Sequence, residues 1–218
     1  MKLFLTSSGI TNPTLANGLL KLLGKPFNKS YVTFIPTAAN VEKGDKTWLV
    51  NDMYNIKKLG FSIFDIADIS IIPKDVWLPS FQAADLLVFG GGTAVHLMEW
   101  MEKSGLTRVL PKLLKTKVYM GISAGSMVTA ETISLASQNI LYYEQTGEFS
   151  PRKGLGLVDF EIRPHLNSPS FSKVRIGYLT QLAQKNPTTF YAIDDNTAVQ
   201  VIDDKVVVVT EGKWKKFN

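Results

Sequence analysis

The sequence predicts an α/β fold with three layers. Helices cover both faces of a mostly parallel central sheet, and an antiparallel hairpin closes the C-terminal end. Three observations carry this. Short apolar runs recur without polar alternation, as strands buried on both faces require. Amphipathic stretches separate them, which is the rhythm of a parallel sheet with crossover helices. The last segment, "TAVQVIDDKVVVVTEGKWKKF", breaks that rhythm: two strand-like runs meet at Asp203 and Asp204.

Taken in order, "KLFLTS" at residues 2–7 is the first strand. The opening "MKLFLTSSGITNP" has an apolar part of only Leu3 to Leu5, so it reads as this strand and not as a signal peptide. A helix follows over 13–23, with Asn12 as its cap and Pro13 in its first turn. "YVTFIP" at 31–36 is the second strand, a helix covers 41–59 up to Gly60, and "FSIFDI" at 61–66 is the third strand. "DLLVFG" at 85–90 leads through "FGGGT" into a helix over 94–103 that ends before Gly105. "KVYMGI" at 117–122 is a further strand, a helix is expected over 171–184, and "TFYAID" at 189–194 joins the parallel set. No linker, repeat or low-complexity tract interrupts the 218 residues, so residues 1–218 read as a single domain.

Composition narrows the function. Hydrophobic residues make up 45% and charged residues 20%, ordinary globular usage, and no apolar run nears the roughly 20 residues of a membrane helix. No membrane partner is expected. There are no cysteines, which excludes disulfides, thiolate metal sites and a cysteine nucleophile and fits a cytoplasmic setting. The net charge of +5 is scattered, apart from the terminal "EGKWKKFN". Without a basic stripe, nucleic acid is not the expected partner. A small acidic substrate suits the mild positive field. A homodimer is the default assembly.

In such sheets, ligands bind beyond the carboxyl ends of the strands. "GISAG" stands at one such end and fits G-x-S-x-G. A strained serine between strand and helix needs small flanking residues, and its Oγ then projects above the sheet. Ser123 is therefore read as a nucleophile; a simple helix cap is the alternative. The N–H of Ala124 points to the same place and suits an oxyanion. Gly91 and Gly92, in "FGGGT", are candidates for a second oxyanion donor; the stretch lacks dinucleotide and P-loop spacing. Serine needs a base, and the chain has two histidines. His96 lies on an amphipathic helix, where packing is the default. His165 lies in the loop "IRPHLNSP" and is the candidate base. "AIDDNTAV" offers Asp194 and Asp195 as the acid that orients it. No metal or cofactor is expected.

"FGGGT", "GISAG", "RPH" and "IDDNTA", in that order, resemble the dipeptidase E family of serine peptidases and their cyanophycinase relatives. The resemblance runs from about Leu3 to the terminal hairpin. It implies a fold like that of class I glutamine amidotransferases, with serine in place of their cysteine. It also implies a triad in the chain order Ser, His, acid: Ser123, His165 and Asp195, with Asp194 as the alternative acid. The family acid is commonly Glu. The sequence departs from dipeptidase E at Ile122, where that enzyme has tryptophan, and it lacks the glutamine–serine context of cyanophycinases. The implied activity is hydrolysis of short peptides, with a preference for an acidic residue on the N-terminal side of the scissile bond. Arg163 is two residues before His165, so on an extended segment it shares that face and would recognise the acid, with Lys173 and Arg175 nearby. An esterase or amidase on the same serine, and a silent binding protein on the same fold, are the alternatives.

Overall fold

The first apolar run forms β1 (Lys2–Thr6) of a computed structural model that describes residues 1–144, 147, 150–185 and 187–218. Helix α1 (Pro13–Leu23) follows. The Asn12 side chain accepts from the Leu15 N–H at 2.9 Å, and Gly24, with φ of 76°, closes the helix. Next come β2 (Tyr31–Ile35), α2 (Thr47–Lys57) and β3 (Ile63–Ile66). The chain continues with α3 (Lys74–Ala83), β4 (Leu86–Phe89), α4 (Ala94–Lys103), α5 (Leu106–Leu113) and β5 (Val118–Ile122). A single turn, α6 (Ala124–Met127), leads to β6 (Thr132–Ile133), α7 (Leu135–Leu141) and β7 (Arg152–Lys153). The last elements are β8 (Glu161–Arg163), α8 (Ile176–Lys185), β9 (Phe190–Ile193), β10 (Thr197–Ile202), β11 (Lys205–Thr210) and β12 (Trp214–Phe217).

The central sheet has the order β11-β10-β1-β5-β4-β2-β3. Strands β1 to β5 pair in parallel, and the β10–β11 hairpin adds antiparallel beside β1. Alternation along the buried strands divides the core. Leu3, Leu5, Leu87, Phe89 and Tyr119 face one side with residues of α3, α4 and α5. Phe4, Val32, Phe34, Val88 and Met120 face the other with residues of α1 and α2. The expected three-layer α/β arrangement is therefore present.

Four expectations need correction. The strand at 189–194 does not enter the central sheet: β9 lies in a second sheet of order β12-β9-β8. Helix α2 starts at Thr47 and not at 41, because Asp45 accepts from the Thr47 N–H and the turn before it contains Gly44. Helix α8 starts at Ile176 and not at 171. Helices α3 and α5 carry Pro79 and Pro111, which conceal them from a periodicity reading.

The two ends of β1 and β5 meet at the elbow. Thr6 O accepts from the Ser123 N–H at 3.1 Å and the Ser126 hydroxyl at 2.8 Å, while the Thr6 hydroxyl donates to Gly121 O. Helix α6 passes so close to β4 that a side-chain carbon on Gly125 would overlap the Phe89 carbonyl oxygen. Gly125→Ala should therefore cost about 2–3 kcal/mol, read by calorimetry as a melting temperature lower by about 5 °C or more. Unchanged melting would mean that α6 retreats from β4 freely.

Candidate active site

Ser123 has φ of 47° and ψ of −107°, a conformation that non-glycine residues rarely adopt. It caps α6 in position only, since its side chain makes no cap hydrogen bond. The Oγ instead lies 2.9 Å from His165 Nε2. The simple-cap alternative for this serine therefore fails.

His165 follows the end of β8 with φ of 63°, so the chain turns there and the imidazole swings towards the elbow. Its Nδ1 lies 2.8 Å from Asp195 Oδ1. An ionised carboxylate only accepts, so Nδ1 carries the proton and Nε2 is free to accept from Ser123. Ser7, just past the end of β1, donates to Asp195 Oδ1 at 2.5 Å and accepts from the His165 backbone N–H at 2.7 Å. The Thr11 hydroxyl fixes the Asp195 carbonyl at 2.7 Å. Burial pushes the Asp195 carboxyl up, but the His165 hydrogen bond and charge and the Ser7 hydroxyl hold it below its ordinary value. Phe171 stacks on the His165 ring at 4.9 Å between centroids.

The backbone N–H groups of Gly91, Gly92 and Ala124 donate to no acceptor among the described residues. A side-chain carbon built on Gly91 would sit 3.5 Å from Ser123 Cβ, so this loop lies directly against the elbow. Gly92 has φ of 126° and presses on the Ala38 carbonyl, which leaves no room for a side chain. Ala124 is buried, with its N–H at the start of α6.

The other sequence candidates go elsewhere. Asp194 points away from His165: its carboxylate accepts from the Asn196 and Lys213 N–H groups and the Thr197 hydroxyl, tying the turn after β9 to β12. Arg163 is 2% exposed, ion-paired to Glu161 and hydrogen-bonded to Ser137. It does not line the cavity, because the turn at His165 ends the strand alternation that would have put both side chains on one face. Arg175 donates to the carbonyls of Ser168, Phe171 and Val174 and so fastens the loop that carries Phe171. Lys173 is exposed. His96 is half-buried beside Trp100, with its pKa lowered by burial.

Ser123, His165 and Asp195 open into a cavity of about 380 Å³, in the range of small-ligand sites. Gly91 and Gly92 line it, with Trp48 from α2 and Tyr142 after α7. Sequence reasoning missed Ser7, Asp52, Phe171 and two glutamates here. Asp52, on α2, is pushed up to about 7 by burial and by the charge of Asp195. Glu144 rises to about 7, mainly through burial, while its Oε1 accepts from the Ala94 N–H. Glu42 accepts from the Thr93 hydroxyl at 2.7 Å. Among the described residues, no group of three or more His, Cys, Asp or Glu is placed to hold a metal ion, and no helix is long and apolar enough to cross a membrane.

The model of Peptidase family S51 matches residues 3–209. A Listeria innocua protein described as an uncharacterized peptidase is 26% identical over 177 residues, covering 81% of this chain and 82% of that protein. A Pasteurella multocida protein of the same description is 26% identical over 208 residues, covering 95% and 96%. Among solved structures, a Listeria monocytogenes protein described as a peptidase E superposes with a TM-score of 0.79 at 22% identity, covering 97% and 98% of the two chains. A peptidase from an acI-B1 Actinobacterium gives 0.66 at 20% identity, covering 99% and 93%. At these identities the two structures speak to the fold alone.

Asp52 makes the site's contribution to stability depend on pH. Its carboxyl is held at about 7 in the folded chain against 3.8 for a free side chain, so folding favours the neutral form. Asp52 thus contributes stability below about pH 4 that is lost as pH rises to about 7, on the order of 4 kcal/mol. Asp52→Asn should gain stability relative to the native chain between those limits, measured as melting temperatures across the range. A difference independent of pH would mean that Asp52 is well solvated.

Proposed function

The chain belongs to Peptidase family S51 and is a serine-type peptidase, and from that premise we propose that Ser123, His165 and Asp195 hydrolyse short peptides through an acyl-enzyme. The observation that carries this reading is the pair of contacts on one imidazole: 2.9 Å from Nε2 to Ser123 Oγ and 2.8 Å from Nδ1 to Asp195 Oδ1. His165 takes the Ser123 proton as Oγ attacks the peptide carbonyl. Asp195 remains ionised, holds the tautomer and stabilises the imidazolium. The N–H of Ala124 and that of Gly91 or Gly92 receive the oxyanion. The imidazolium then protonates the leaving amine, and the C–N bond breaks. Water attacks the acyl-enzyme by the same route and releases Ser123.

Ser7 is a positioning residue in this scheme, since one hydroxyl bridges the Asp195 carboxylate and the His165 backbone. For the acidic residue on the acyl side that the sequence led us to expect, no lysine or arginine among the described cavity residues offers a counter-charge. Arg163 is spent on Glu161.

A fluorophosphonate reagent should label the native chain at Ser123, identified by peptide mass spectrometry. Ser123→Ala should abolish labelling and turnover, and Asp195→Asn should lower turnover by roughly 10⁴-fold. Labelling of a different residue, or turnover that survives in Ser123→Ala, would reject the assignment.

A further inference from the structure

We propose that Glu144 is a positioning residue: it holds the loop that carries Gly91 and Gly92 and so sets the second oxyanion donor against the elbow. This rests on the serine peptidase reading above and adds a residue to it. At the N-terminus of α4, the first backbone N–H groups have no partner inside the helix. Thr93 stands at the capping position, where a threonine ordinarily accepts from an N–H of its own first turn. Here it makes no such bond. Its hydroxyl is turned away and donates to Glu42 Oε1 at 2.7 Å. The cap comes from far along the chain instead: the Ala94 N–H donates to Glu144 Oε1 at 3.1 Å, across 50 positions.

That bond closes on the oxyanion loop. Gly91 and Gly92 immediately precede Thr93 and Ala94, between the end of β4 and the start of α4. Two bonds pin this loop to the segment after β2: the Gly90 N–H donates to Ile35 O at 3.0 Å, and the Thr93 N–H to Ala38 O at 2.9 Å. Glu144 adds a third, from the segment after α7. The same segment braces the base. The Tyr142 hydroxyl donates to Pro164 O at 3.3 Å, one residue before His165. Phe171 meets the Tyr142 ring edge-on at 5.5 Å between centroids while it stacks on His165. Tyr142 and Glu144 thus stand on one short segment that touches both the oxyanion loop and the support of the imidazole. A local threonine cap would serve the helix without closing so long a loop. A cap from this segment also fixes how far the donors lie from the base.

The bond is kept against an electrostatic cost. Glu144 Oε2 is buried with no hydrogen-bond partner among the described residues. Burial, with the charge of Glu42, pushes the carboxyl up to about 7, while the Ala94 bond pulls the other way. What the loop needs from this position is an acceptor at the reach of a glutamyl side chain, whether or not it is charged.

The test follows phosphonylation of Ser123 by a fluorophosphonate, in which the P–F bond breaks, fluoride leaves and a phosphoryl oxygen enters the oxyanion hole. Progress curves separate the binding constant of the reagent from the rate constant of the bond-forming step. Glu144→Gln keeps the reach and the acceptor, and Glu144→Asp keeps the charge and loses the reach. Glu144→Gln should react within about threefold of the native chain. Glu144→Asp and Glu144→Ala should react at least about tenfold more slowly, with the binding constant within about twofold, since losing an oxyanion donor outright costs roughly 10²–10³-fold. If Glu144→Ala does not melt cooperatively, the contrast of Gln with Asp decides. Hydrogen exchange at the Ala94 amide, read by NMR in the unreacted chains, should quicken in Glu144→Asp and not in Glu144→Gln. A cap that serves the fold alone would lower the melting temperature and leave the bond-forming step unchanged, and that result overturns the proposal. So does a loss confined to the binding constant, which would put Glu144 on the ligand, or a Glu144→Gln chain as slow as Glu144→Asp, which would make the charge the operative feature. Failure of the native chain to be labelled at Ser123 rejects the nucleophile, and exchange at Ala94 then decides the fastening of the loop by itself.

Discussion

Ser123 holds a positive φ because α6 and β5 can approach their neighbours to within hydrogen-atom contact at Gly121 and Gly125. A carbon on Gly121 would sit 2.5 Å from the Ser126 nitrogen, and one on Gly125 would overlap the Phe89 carbonyl. The strain is local, and the surrounding bonds over-determine it: Thr6 O accepts from both the Ser123 N–H and the Ser126 hydroxyl, and the Tyr119 hydroxyl donates to Gly125 O at 2.6 Å. With the serine backbone fixed in this way, its Oγ stands beyond the carboxyl end of β5, 2.9 Å from His165 Nε2. The Gly91–Gly92 loop and the imidazole are arranged around that position.

The rest of the site arrives from a different sheet. β8 delivers His165 and β9 delivers Asp195, while β1, β4 and β5 of the central sheet deliver Ser7, the glycine loop and Ser123. A relay assembled across two sheets needs fasteners at the seam. Ser7 provides one by bonding both His165 and Asp195, and Asp194 provides another by holding the turn between β9 and β10 to the chain before β12. Adjacent aspartates thus divide the work, one facing the imidazole and one the backbone.

Local chemistry was legible in the sequence, and long-range chemistry was not. The elbow showed itself because a glycine–serine–glycine spacing after an apolar run has few other uses, and α1 and α4 appear with the expected bounds because their caps are written in Asn12 and Gly105. Sheet membership is decided by pairing partners far along the chain, so the segment that became β9 looked like any other buried strand. Arg163 misled because alternation was extended through Pro164 to a residue whose φ of 63° ends it, and because Glu161, its actual partner, lies two residues back on the same face. Ser7, Asp52 and Phe171 carry no local signature: each gains its role from residues more than thirty positions away or from the cavity it faces. The net charge of +5 pointed to an acidic ligand, whereas the cavity itself gathers carboxyl groups. A global charge says little about a pocket walled off from most of it.

In the proposed mechanism the strained serine, the imidazole across the seam and the free N–H groups form one reacting centre. A crystal structure of the chain after reaction with a fluorophosphonate tests it most directly. The account predicts phosphorus bonded to Ser123 Oγ, with one phosphoryl oxygen about 2.7–3.1 Å from the Ala124 nitrogen and from that of Gly91 or Gly92. A phosphoryl oxygen directed to solvent, with those N–H groups left unengaged, would contradict it.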